Sequence, residues 1–119
     1  MRAFNEISGA VLDSSLRIHK GLGPGLLESV YLAVLARDLE QRGFFVEVGR
    51  GVAFSFEGMH FNQGLVVDLL IDHKVVVELK SVEKIAPVHF KQLLTYLRLL
   101  DLRLGLLVNF GGATLKEGF

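Results

Sequence analysis

The stretch Asp68-Leu69-Leu70-Ile71-Asp72-His73-Lys74-Val75-Val76-Val77-Glu78-Leu79-Lys80 sets two acids and a lysine among residues suited to burial. In an extended strand, side chains at i and i+2 share a face, so Glu78 and Lys80 project together while Val77 and Leu79 project to the other side. If the loop is Asp72-His73-Lys74, Ile71 pairs with Val75 and Asp68 lands opposite Glu78. A two-residue loop would instead pair Asp68 with Val77 and send the carboxylates to opposite faces. Carboxylates opposed on an apolar sheet repel each other unless a proton or a cation compensates. Oxygen ligands of this kind suit Mg²⁺ or Mn²⁺, and a lysine beside them could orient an attacking water or stabilise charge on a phosphate. Taken alone, Glu-x-Lys is weak evidence and reads first as the solvated stripe of an edge strand.

Further residues of chemical interest flank this stretch. Gly25-Leu26-Leu27-Glu28-Ser29-Val30-Tyr31 spells G-x-x-E-x-x-Y, and His89-Phe90-Lys91-Gln92-Leu93-Leu94-Thr95-Tyr96 contains Q-x-x-x-Y. Glu28 sits where a helix begins, a place that favours a carboxylate without any catalytic role. Tyr31 fits a core aromatic with a satisfied hydroxyl. Gln92 and Tyr96 are i and i+4, on one helical face. His19, His60, His73 and His89 lack the i, i+4 spacing of a zinc pair, although His89 is close enough to Gln92 to edge the same site. Gly21-x-Gly23-x-Gly25 is not a dinucleotide fingerprint, and no nucleotide-binding G-K-[ST] or G-x-S-x-G elbow occurs.

The elements that must position these residues follow from periodicity. Helices are predicted over Phe4–His19, Gly25–Arg42 and Pro87–Leu100, with both prolines at helix starts and Gly43 as a stop. Leu27, Val30, Tyr31, Val34, Leu35 and Leu39 form the expected buried face of the second helix. Phe90, Leu93, Leu94, Leu97 and Leu100 do so for the third. Strands are predicted at Phe44–Val48 and Val52–Phe56, joined as a hairpin around Gly49-Arg50-Gly51, then at Leu65–Ile71, Val75–Lys80 and Leu104–Phe110. The expected class is α/β, a mixed sheet flanked by helices in the order α-α-β-β-β-β-α-β.

The chain has 119 residues, half of them hydrophobic, with 13 basic and 13 acidic side chains. A single domain over 1–119 is the expectation. The absence of cysteine excludes a disulfide scaffold, a thiol nucleophile and thiolate metal sites. Zero net charge excludes binding of nucleic acid by bulk electrostatics, so any phosphate must be met locally, where Lys80, Lys84, Lys91 and Arg98 supply basicity. Met1–Ser15 carries Glu6 and Asp13 and reads as no signal peptide. No apolar run approaches the ~18 residues of a membrane span. A cytoplasmic protein without membrane partners is the default expectation.

From Leu22 to Phe110 the ordered combination of Leu-Gly-Pro-Gly, G-x-x-E-x-x-Y, Asp68, Glu78-Leu79-Lys80, Gln92-Leu93-Leu94 and Leu-Gly-Leu-Leu-Val-Asn-Phe resembles the GxxExxY protein family of the PD-(D/E)XK nuclease superfamily. The resemblance implies a restriction-endonuclease-like core and a Mg²⁺- or Mn²⁺-dependent nuclease that hydrolyses phosphodiester bonds by metal-activated water. It implies that Asp68 and Glu78 bind the metal, with the Leu79 carbonyl as an additional ligand. Lys80 would orient the water or stabilise the phosphate, and Glu28 would act through the metal's water shell. Gln92 and Tyr96 would orient Lys80 or the scissile phosphate. The implied partner is nucleic acid, DNA ahead of RNA. Relatives usually continue with another basic segment past the final strand, whereas this sequence stops at Phe119, so part of the edge or substrate-binding surface is expected to be missing. The rival reading is a non-catalytic nucleic-acid-binding or protein-interaction module on the same fold. A homodimer completing a groove across two chains is a third.

Overall fold

The computed structural model describes residues 2–113 and 115. Helical spacing of Ile7, Val11, Ser15 and Ile18 forms α1 (Phe4–Leu22), with all four side chains buried. There follow α2 (Glu28–Gln41), β1 (Val46–Phe56), β2 (Met59–Ile71), β3 (Val75–Lys80), α3 (Pro87–Leu100) and β4 (Leu104–Asn109). The expected mixed sheet flanked by helices is what forms. Its strands lie in the order β1-β2-β3-β4. The first three are antiparallel neighbours, and β4 runs parallel to β3 after the α3 crossover.

Strand alternation divides the interior into two cores. Leu69, Ile71, Val75, Val77 and Leu79 point toward α1 and α2, where they join Ile7, Val11, Tyr31, Leu35, Leu39, Val108 and Phe110. Val76, Leu70, Val67 and Leu107 meet Leu93 of α3 on the opposite face, with Tyr96, Leu97 and Leu100 partly buried around them.

Several local expectations are corrected. The segments expected as a hairpin around Gly49-Arg50-Gly51 are the two halves of β1, and Gly49 takes a positive φ of 61° inside the strand instead of closing a turn. The real turn is Glu57-Gly58, with φ of 49° and 81°. Positive φ at both central residues is what a two-residue hairpin turn of type I′ requires, and glycine supplies it at one of them without steric cost. The ribbon it closes carries β2 back to Met59, well before the expected start at Leu65.

The second helix begins at Glu28, because Leu27 is still extended (ψ 146°) and Gly25 has φ 101°. Pro24 therefore lies in the connection, while Pro87 does open α3. Of the face expected for α2, Leu27, Val30 and Val34 are exposed, and the buried stripe is Tyr31, Leu35, Ala36 and Leu39. On α3, Phe90 and Leu94 are likewise exposed. No helix of the described residues is long and apolar enough to cross a membrane.

Candidate functional site

The turn between β2 and β3 fixes the register on which the site depends. Asp72 and His73 both adopt left-handed φ, and the Lys74 N–H closes onto the Ile71 carbonyl at 2.9 Å. Asp72 is tied on both sides, its N–H donating to the Phe45 carbonyl and its Oδ1 accepting from the Phe45 N–H. The loop is thus the three residues Asp72-His73-Lys74, and Ile71 pairs with Val75, Leu70 with Val76 and Leu69 with Val77.

The next position in this register sets Asp68 against Glu78, and there the ladder changes character. The Asp68 N–H donates to Glu78 Oε2 at 2.6 Å, and the Leu79 N–H donates to Asp68 Oδ2 at 2.8 Å. Each carboxylate caps a backbone N–H, so the pair is crossed and locked. The N–H and C=O of a strand residue point to the same side, so the Leu79 carbonyl shares this edge with Asp68. The Lys80 carbonyl faces the other way, accepting from the Phe110 N–H. The Leu79 side chain itself is in the α1/α2 core.

Burial dominates the electrostatics. It pushes the Glu78 carboxyl up to about 7, an effect opposed by the Asp68 N–H and increased by the neighbouring Asp68 charge. Asp68 is also raised, by burial first, with the Leu79 N–H and Lys80 pulling it back and Glu28 adding to the rise. Tyr96 is raised by burial and then by the charges of Glu78 and Asp68, with the Gln92 side chain opposing as a hydrogen-bond partner. These mutual effects place Glu28, Asp68, Glu78, Lys80 and Tyr96 in one electrostatic neighbourhood, with Gln92 at its exposed rim. Three carboxylates share one ammonium, so full ionisation leaves surplus negative charge that only protons or an added cation can offset.

Glu28 reaches this place from the other side of the sheet. It opens α2, and its Oε1 accepts the Ser81 N–H at 2.9 Å, immediately beyond the end of β3. The Ser81 hydroxyl donates to the Leu26 carbonyl at 3.1 Å. Tyr31 completes the brace. Its hydroxyl donates to the Gly23 carbonyl and accepts from the Leu26 N–H, and its ring stacks on Phe110 at 4.4 Å. Tyr31 is therefore the satisfied core aromatic that the sequence suggests.

Among the described residues no three histidine, aspartate or glutamate side chains converge into a ready-made metal cage. The donor set nevertheless suits Mg²⁺ or Mn²⁺. Mg²⁺ is commonly held by one or two carboxylates with water and substrate oxygens completing the shell, and a dedicated protein cage is not required. His89 helps to build the start of α3, its Nδ1 accepting the Ala86 N–H at 3.0 Å. The other histidines are engaged elsewhere, His19 with the Gly112 carbonyl, His60 with Ser55 and His73 with Glu47.

Sequence reasoning missed Ser81 and Asn109. Asn109 is buried at the end of β4 and holds Val82. A lone amide closing the apolar run Leu-Gly-Leu-Leu-Val-Asn-Phe was the available signal. Beyond these residues, Lys84 lines a cavity of about 600 Å³ with Glu83, Ile85, Asn109 and Gly112.

A family model for the PD-(D/E)XK nuclease superfamily matches residues 5–119. No match is found among curated proteins or among solved structures.

Proposed function

Because this chain belongs to the PD-(D/E)XK nuclease superfamily, we propose that it is a divalent-metal-dependent nuclease that hydrolyses phosphodiester bonds of nucleic acid, DNA ahead of RNA. The observation that carries the reading is the crossed Asp68/Glu78 pair, with Lys80 as the nearby cation acting on both carboxylates. The Gly25-x-x-Glu28-x-x-Tyr31 motif supports a place in the GxxExxY group of that superfamily.

Asp68, Glu78 and the Leu79 carbonyl would hold Mg²⁺ or Mn²⁺, with Glu28 reaching the ion through its water shell. The bound ion supplies positive charge at the scissile phosphate and makes its water easier to deprotonate. Asp68 and Glu78 each accept a backbone N–H through one carboxylate oxygen, which leaves the other oxygen of each for the ion. Lys80 orients the attacking water or steadies charge gathering on the phosphate oxygens. Tyr96 and Gln92 orient Lys80 or the phosphate, and the basic side chains of Lys84, Lys91 and Arg98 supply local attraction for the backbone.

The alternative is a binding module that retains the fold without turnover. One experiment separates the two. Purified protein is incubated with single- and double-stranded DNA and RNA in Mg²⁺, in Mn²⁺ and in chelator. Cleavage that requires the ion and disappears in Asp68→Ala and Lys80→Ala supports the nuclease. Cleavage that survives both substitutions defeats the mechanism, and ion-independent binding without cleavage selects the module.

A further inference from the structure

The end of β3 is held by more than its ladder. After the last parallel pair, Lys80 with Asn109, the Asn109 side chain takes over. Its Oδ1 accepts the Val82 N–H at 3.0 Å, and its Nδ2 donates to the Val82 carbonyl at 2.8 Å. The same Oδ1 accepts the Gly111 N–H at 3.0 Å. Asn109 is only 2 % exposed, so water cannot easily replace these partners. The fit leaves no slack: a Cβ on Gly111 would stand 2.2 Å from the Val82 carbonyl oxygen.

What this clamp fixes is the residue between Lys80 and Val82. Ser81 gives its N–H to Glu28 and its hydroxyl to Leu26, each more than fifty residues away in sequence. Its backbone therefore sets where the Glu28 carboxylate stands relative to Asp68 and Glu78. Side-chain amides that grip both backbone groups of one residue restrict its position and its rotation together, which is the support a site on a strand end requires.

We propose that Asn109 is a positioning residue of the candidate metal site, acting through the Val82–Ser81 backbone on the Glu28 carboxylate and requiring glycine at position 111 for its close approach. This assignment rests on the metal-dependent reading above. Asn109 is not among the residues that would hold the ion, so its substitution should act on ion affinity through Glu28, and the effects of the two residues should not add.

The test uses the full chain with Mn²⁺ alone as the probe, its affinity read by electron paramagnetic resonance. The variants are Asn109→Asp, Asn109→Ala, Glu28→Gln and the combination of Glu28→Gln with Asn109→Asp. Asn109→Asp keeps the acceptor for Val82 and Gly111 but sets an oxygen against the Val82 carbonyl in place of the donor, whereas Asn109→Ala removes both contacts without adding charge. The expected result is about a tenfold or greater loss of Mn²⁺ affinity in Asn109→Asp, with a native amide spectrum and faster hydrogen exchange at the Ser81 and Val82 N–H groups. In the Glu28→Gln background the further loss should shrink below about twofold.

Unchanged affinity in Asn109→Asp, full additivity with Glu28→Gln, or loss of the fold in both Asn109 variants would overturn the positioning role. A parent protein that binds no Mn²⁺ overturns the metal-dependent reading and this assignment with it. A parent that binds while Asn109→Asp binds equally well overturns the assignment alone.

Discussion

The two faces of the sheet are made by the same strands, and they do opposite things. Toward α1 and α2, residues 69, 71, 75, 77 and 79 are Leu, Ile, Val, Val and Leu, all within a continuous apolar core. Toward α3, Leu70 and Val76 begin the same way, but the next positions are Asp68, Glu78 and Lys80. Two helices cover the first face, and a single helix covers the second, of whose side chains only Leu93 is buried. A face sealed by two helices has no room for an unpaired charge, whereas a thinly covered face can hold a buried Glu78 beside a partly buried Asp68 and leave a route to solvent. The comparison teaches that the larger core supplies the stability from which a costly pair of acids can be held on the opposite side.

The largest effect should come from the second face and leave the first untouched. Lys80→Ala should lower ion-dependent cleavage by about a thousandfold, while the thermal midpoint stays close to that of the parent. A large fall in the midpoint would mean that Lys80 belongs to the structural face after all. The converse substitution is Leu35→Ala, at a side chain with no exposure. It should cost about 3 to 4 kcal/mol in denaturant unfolding, with cleavage per folded molecule retained.

A third effect, of similar size, is pH-dependent. The folded chain keeps the Glu78 proton up to about 7, whereas the unfolded chain releases it near 4.5. Between those values the folded state binds more protons, so stability without metal falls as pH rises, by on the order of 3 kcal/mol. The raised Asp68 carboxyl acts with the same sign. Glu78→Gln should flatten the profile in unfolding curves taken across this range, and an unaltered slope would place the proton elsewhere. The smallest effect belongs to exposed positions once expected in the core. Val34→Ala should change stability by no more than about 0.5 kcal/mol, and a larger loss would indicate that this side of α2 is covered in solution.

The register of the acids was legible because it depends on local quantities. Strand alternation has period two, so choosing a three-residue loop at 72–74 decides the faces of Asp68 and Glu78. The long β1–β2 ribbon was hidden because its turn is Glu57-Gly58, which lacks the asparagine or aspartate that marks such turns. Helix amphipathicity also overstated burial: Val34 and Leu94 have the right spacing, yet no element packs over them. The clamp at Ser81 and Asn109 could not be read from spacing, since its partners are 27 and 53 residues apart and meet only after β4 lies beside β3.

The most direct test of the contrast between the faces is a calorimetric titration of Mn²⁺ into the parent, Asp68→Asn and Leu35→Ala, at a pH above the Glu78 titration. The account predicts saturable binding in the parent and in Leu35→Ala, and its loss in Asp68→Asn. Binding of equal strength in Asp68→Asn and the parent would contradict it.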